Sequence, residues 1–209
     1  GATQDNLSLE KLATIKFPAP PLEIQKRVAD ILSTYDALIE NNEKQINLLE
    51  EAATRLYKEW FINLRFPNYE TAKIVDGVPK GWEKHRLIEF AEITMGQSPK
   101  SEFYNSNGEG YPFLQGNRTF GRKYPIFDTY TTKVTKKANA GDVIMSVRAP
   151  VGDLNITPVD ICLGRGVCGI RMKNGKQDFL FYLMKHNIQQ LLSKGAGTVF
   201  SSVNKNDIN

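Results

Sequence analysis

The sequence predicts an α+β protein in which one long coiled-coil-forming helix carries a mixed β-sheet/α domain. Three observations predict it. After Pro21 the chain runs to Leu64 without proline or glycine, and its apolar residues recur at helical spacing. The later part strings short β-branched runs between glycine, asparagine and proline turns and ends on an amphipathic helix. The charge also divides: residues 21–64 hold 8 acids and 5 bases (−3), whereas residues 80–209 hold 18 bases and 11 acids (+7).

In the helix, Val28, Tyr35, Asn42, Leu49 and Leu56 share one heptad position. Ile31, Leu38, Gln45 and Ala52 share a second, and Leu32, Ile39, Ile46, Ala53 and Trp60 a third. That stripe is wide, and a rod over residues 21–64 is roughly 65 Å long at 1.5 Å per residue. It needs a surface to cover it: its own domain, a coiled-coil partner or a second copy. Asn42 and Gln45 interrupt the stripe near its middle, where polar residues fix register and orientation. Pro21 suits the first helical position, since its missing N–H has no partner there.

Residues 1–20 read as the tail of a preceding unit, with a short β-like piece at Ile15-Lys16-Phe17-Pro18 and a Pro-rich hinge. A shift of 194 positions sets Gly1, Ala2, Ser8 and Lys11 on Gly195, Ala196, Ser202 and Lys205, as if the chain stopped inside the same tail of the next unit. Residues 65–79 are expected to be a linker and residues 80–209 a domain around one core. Within it, Arg86 to Ile93 reads as a short helix and Val143 to Arg148 as a strand entered from the Ala140-Gly141-Asp142 turn. Asp153 to Ile156 and Val167 to Met172 are further strands, with a turn at Asn174-Gly175. Phe179 to Leu192 is an amphipathic helix stopped by Gly195-Ala196-Gly197. Residues 103–130 gather eight aromatics around Arg118, Arg122 and Lys123 and read either as core packing or as base-stacking surface.

Composition excludes several classes. With 41% hydrophobic and 24% charged residues in 209, the chain builds a core of one or two domains. No apolar run approaches membrane length and no signal-peptide pattern opens the sequence, so the cytoplasm is the expected location. Cys162 and Cys168 lack a C-x-x-C spacing and are expected as buried, reduced thiols. Gly164-Arg165-Gly166-Val167-Cys168-Gly169 matches the dinucleotide fingerprint by letter, but the following residues continue as a strand, where the fingerprint needs a helix. There is no phosphate-cradling G-x-x-x-x-G-K-[ST] loop, no acid two residues before a lysine and no Pro-Pro-aromatic methyltransferase motif. His85 and His186 sit in no zinc spacing. No constellation calls for catalysis, a cofactor or a metal; the chain reads as a binding protein, and its basic C-terminal domain points to nucleic acid.

Phe17-Pro18-Ala19-Pro20-Pro21-Leu22-Glu23-Ile24-Gln25-Lys26-Arg27-Val28-Ala29, with Leu56-Tyr57-Lys58-Glu59-Trp60-Phe61, resembles the helix opening and end of type I restriction–modification specificity subunits. Pro79-Lys80-Gly81-Trp82, Gly96-Gln97-Ser98-Pro99, Ala140-Gly141-Asp142-Val143-Ile144 and Ser146-Val147-Arg148-Ala149-Pro150-Val151-Gly152 resemble motifs of that family's target recognition domains. The resemblance implies a non-catalytic subunit whose recognition domain reads one half-site of a bipartite double-stranded DNA target. It further implies partner methyltransferase (M) and restriction (R) subunits that supply methylation, ATP use and cleavage. One helix and one recognition domain make the chain look like half such a subunit, either a natural half-length form or a fragment. The alternative is a coiled-coil adaptor that binds protein and no DNA.

On that reading the DNA-contact candidates are Lys100, Arg118, Arg122, Lys123, Arg148, Arg165 and Lys194, with Gln97, Ser98, Gln115 and Asn117 as base readers. Self-association is expected through Val28, Ile31, Leu32, Tyr35, Leu38, Ile39, Asn42, Gln45, Ile46, Leu49 and Leu56. The charges off the stripe (Glu40, Glu43, Lys44, Glu50, Glu51, Arg55 and Lys58) are the expected docking face for methyltransferase subunits.

Overall fold

The computed structural model describes residues 8–194, with side chains to residue 188. The Gly195-Ala196-Gly197 helix stop, Gly1-Ala2 and the C-terminal copy of the 194-residue echo lie outside the described residues. The chain divides into two compact units, residues 1–52 and 53–209.

In the first unit, the Ser8 hydroxyl accepts the Lys11 N–H and caps a one-turn helix, α1 (Leu9–Ala13). The expected β-like piece at Ile15 to Pro18 is irregular: no strand pairs with it among the described residues. α2 (Leu22–Tyr57) then opens one residue later than expected, with the Pro21 carbonyl accepting from the Ile24 and Gln25 N–H groups. Its 36 residues span about 54 Å. Among the described residues the stripe is exposed, from Val28 at 47% to Leu49 at 70%, and Asn42 and Gln45 are exposed with it.

The second unit takes in the end of that helix. From Lys58 to Ile62 the turns widen to π-helix, and Asn63 N–H bonds the Lys58 carbonyl at 2.9 Å. Leu64, at φ 55°, ends the run. Tyr57 is buried against Phe179 and His186, with ring centroids 5.9 Å away in each case. Phe61 packs edge-on to Phe179 at 5.0 Å and beside Trp82 at 5.6 Å, and Phe66 meets Trp82 from 5.3 Å. This aromatic cluster explains why the unit begins at residue 53 and contains the expected linker. Residues 65–79 are themselves ordered: β1 (Ile74–Val75) and β2 (Val78–Pro79) pair through Asp76 and Gly77, both at positive φ, as two-residue hairpin turns require.

The main core has three layers. A four-stranded antiparallel sheet comprises β3 (Ala91–Met95), β8 (Val143–Ser146), β9 (Leu154–Ile156) and β11 (Val167–Met172), in the order β3-β11-β8-β9. The helix expected over Arg86 to Ile93 is only α3 (Leu87–Phe90), because Ala91 to Met95 pairs residue for residue with Met172 to Cys168. On one face, Leu180, Phe181 and Met184 of α4 (Gln177–Lys194) pack on Val143, Met145, Cys168 and Ile170. On the other, Ile144 and Val167 meet Leu114, Ala138, Ile161 and Leu163 of a second sheet. That sheet is mixed, with the order β4-β6-β5-β10-β7, and contains β4 (Tyr104–Asn105), β5 (Tyr111–Leu114), β6 (Tyr130–Thr131), β7 (Lys137–Ala138) and β10 (Ile161–Leu163). Burial on both faces is why Val143 to Met145 reads as an unbroken apolar run. Cys162 and Cys168 are free and buried, and burial pushes the Cys168 thiol up to about 12. Among the described residues no helix is long and apolar enough to cross a membrane.

Candidate nucleic-acid interface

The two sheets exchange the chain at Gly164-Arg165-Gly166, between β10 and β11, and strand, not helix, follows the glycines. Backbone bonds knit four segments there. Gly164 N–H donates to Leu114 O (2.8 Å), Gly166 N–H to Gln115 O (2.9 Å), Gln97 N–H to Leu163 O (2.9 Å) and Val147 N–H to Gly166 O (2.9 Å). Only glycine allows this approach. A Cβ on Gly164 would stand 2.7 Å from Gln115 Cα, and one on Gly96 2.0 Å from Gly164 O. The fingerprint glycines thus serve backbone packing and present Arg165.

Beside this knot opens a cleft of about 750 Å³. Gln97, Ser98, Lys100, Gln115, Arg118 and Arg165 all line it, from segments far apart in sequence. Thr119, Asp128 and Thr129 add polar groups, and Tyr104 and Phe113, with rings 4.7 Å apart, form an aromatic wall. Three cations face one carboxylate. Arg118 pairs with Asp128 at 2.7 Å and holds its carboxyl below the usual carboxylate range. The Ser98 hydroxyl accepts from the Arg165 N–H at 3.1 Å and donates to Gln115 Oε1 at 3.2 Å. Such a surface suits a polyanion that carries hydrogen-bonding edges.

The family model for the type I restriction modification DNA specificity domain matches residues 1–51 and 79–209. The chain belongs to this family. Among specificity-subunit relatives from Methanocaldococcus jannaschii, the assigned MjaX subunit is 40% identical over 98% of this chain and 49% of its own length. The MjaIX subunit is 27% identical over 100% and 52%. The HsdS subunit of Thermoanaerobacter tengcongensis superposes with a TM-score of 0.58 at 33% identity, over 100% of this chain and 50% of that one. A chain from a structure of complex assembly and conformational transition of the type I R-M system gives 0.58 at 35% identity, over 90% and 46%. The chain spans about half the length of the curated relatives it matches. The specificity-subunit resemblance and the α+β class read from the sequence are both shown.

Among the described side chains, the remaining candidates of this specificity-family chain fall outside the cleft lining. The Asn117 amide donates to Asp153 Oδ2 at 2.6 Å and to Pro150 O at 3.4 Å, tying its loop to the β8–β9 turn. Arg148 is exposed on that turn, which contains the cis Ala149–Pro150 peptide. Arg122 is exposed on the neighbouring 119–126 loop, and Lys123 lies 5.6 Å over the Phe181 ring. Lys194 is the last residue of α4, and its side chain is outside those described. Sequence reasoning missed Asp128 and Thr129, which no motif marks. It also missed Asn155, which holds the 119–126 loop.

Proposed function

We propose that this chain is the DNA-recognition subunit of a type I restriction–modification complex, each copy reading one half-site of a bipartite double-stranded target. The observation that carries the reading is the convergence of Gln97, Ser98, Lys100, Gln115, Arg118 and Arg165 on one cation-rich cleft. Membership of the DNA specificity family supports it. On this reading the chain performs no chemistry. Methylation, ATP hydrolysis and cleavage belong to M and R subunits, and the charged faces of α2 around Glu40, Lys44 and Arg55 dock the methyltransferase. A second copy covers the apolar stripe, so that two inverted half-sites are read together.

The test is selection from a random duplex library by the chain assembled with its M subunit. A bipartite consensus is expected, with affinity falling as salt rises, and Lys100→Ala should reduce the salt slope by about 1. Complex formation without any selected sequence or salt-dependent affinity would favour the protein-only adaptor.

A further inference from the structure

We infer that Arg165 reads a guanine of the half-site, its guanidinium donating to the O6 and N7 acceptors on the major-groove edge. The inference rests on the DNA-recognition reading above and narrows it to one residue and one base. Three observations carry it.

The first is rigidity. Arg165 is flanked by Gly164 and Gly166, whose N–H groups are fixed on Leu114 and Gln115, and its own N–H is held by Ser98 at 3.1 Å. Neither glycine position has room for a Cβ, so the backbone beneath Arg165 has no slack. A base reader needs that precision, because bidentate pairing tolerates little displacement.

The second is availability. Among the described residues the Arg165 side chain has no recorded ion pair or hydrogen bond, and it is exposed at the cleft. Its companions are engaged: Arg118 with Asp128 at 2.7 Å, and Lys100 with Glu102 at 3.9 Å. Arg165 is the cleft cation that binds a ligand without first breaking a pair.

The third is the sign of the polar array. Ser98 accepts from the Arg165 backbone and turns its proton onto Gln115 Oε1. The Gln115 NH2 group and the Arg165 guanidinium, which line the same cleft, are both donors. The Asp128 carboxylate takes Arg118 and the Thr129 hydroxyl, and so is spent within the protein. Guanine offers two adjacent acceptors on its major-groove edge, whereas adenine and cytosine each present an amino group there.

The experiment compares the wild-type chain with Arg165→Gln, each assembled with the M subunit, by duplex selection and then by binding to the selected site. The wild type should select a half-site with a G·C pair that the variant alone ceases to specify, every other position remaining. Replacing that guanine by 7-deazaguanine should weaken the wild type roughly 5- to 100-fold and leave the variant unmoved. The 7-deazaguanine series on the wild type decides the matter even if the variant folds poorly. Equal weakening of all sequences by Arg165→Gln would make it a phosphate contact and overturn the inference while DNA recognition stands. A half-site without G·C, or insensitivity to 7-deazaguanine at every guanine, would overturn it as well. No selected sequence at all would instead bring down the recognition reading beneath it.

Discussion

Asn155 bonds both backbone groups of Gly121: its Nδ2 donates to the Gly121 carbonyl at 2.9 Å, and its Oδ1 accepts the Gly121 N–H at 3.1 Å. A side chain thereby replaces a neighbouring strand at the edge of β9, and the Ile156 N–H continues the pairing onto Lys123 O at 2.8 Å. Asn155 is 1% exposed, and Asn155→Ala removes the donor to the half-buried Gly121 carbonyl, whereas the Gly121 N–H keeps Tyr124 O at 3.2 Å. A loss of about 2 kcal/mol is expected, read as a lower urea midpoint at unchanged m-value.

The knot beside the cleft gives a paired test. Gly96→Ala would push a methyl into Gly164 O and Val167 O, whereas Gly116→Ala meets nothing within 4 Å. The first should cost about 3 kcal/mol or more, the second within about 0.5 kcal/mol. Thermal unfolding of the two variants checks this, and equal midpoints would contradict the packing described.

Alkaline stability follows from buried acids. Burial raises the Cys168 thiol from 9.0 to about 12, and burial also raises the Tyr57 phenol. Both neutral forms are favoured by folding, so their contribution is intact below about pH 9 and is lost as pH climbs towards 12. Cys168→Ala should flatten the fall of stability over that window, whatever it does to stability at neutral pH.

The stripe on α2 predicts association. With Ile31 and Leu38 about half exposed, wild-type protein should sediment at twice the chain mass at micromolar concentration. Ile31→Glu with Leu38→Glu should give the single-chain mass while leaving the melting of the domain around Leu180 unchanged. A wild-type monomer would refute the pairing.

What was legible in the sequence depended on how local its cause was. The helix through Phe179 follows from periodicity because one face meets a core, the long helix follows from the same spacing along an exposed stripe, and the strand at Val167 to Met172 follows from a short run bounded by turns and buried on both faces. The two-residue strands β4, β6 and β7 carry no period to detect, and their pairing is decided by distant partners. Asp76-Gly77 did carry a hairpin signal, obscured by the expectation of a linker. Ala91 to Ile93 reads as helical because Leu87, Ile88 and Phe90 precede it, and long-range pairing with β11 overrides that local pattern. The candidate cations were recognisable by type. Which of them share a cleft was not, since the bonds that gather them cross the Gly96, Gly164 and Gly166 contacts.

The cleft's discontinuity has a consequence for how specificity passes between relatives. Ser98 reaches Gln115 across 17 positions, and the Arg165 backbone across 67. Grafting any one loop would place new side chains among old neighbours and break this shared hydrogen-bonding arrangement. On the proposed DNA-recognition reading, a working change of target travels as the whole stretch from Gln97 to Arg165, exchanged like a cartridge, or else arises by replacing side chains singly on a backbone that stays fixed.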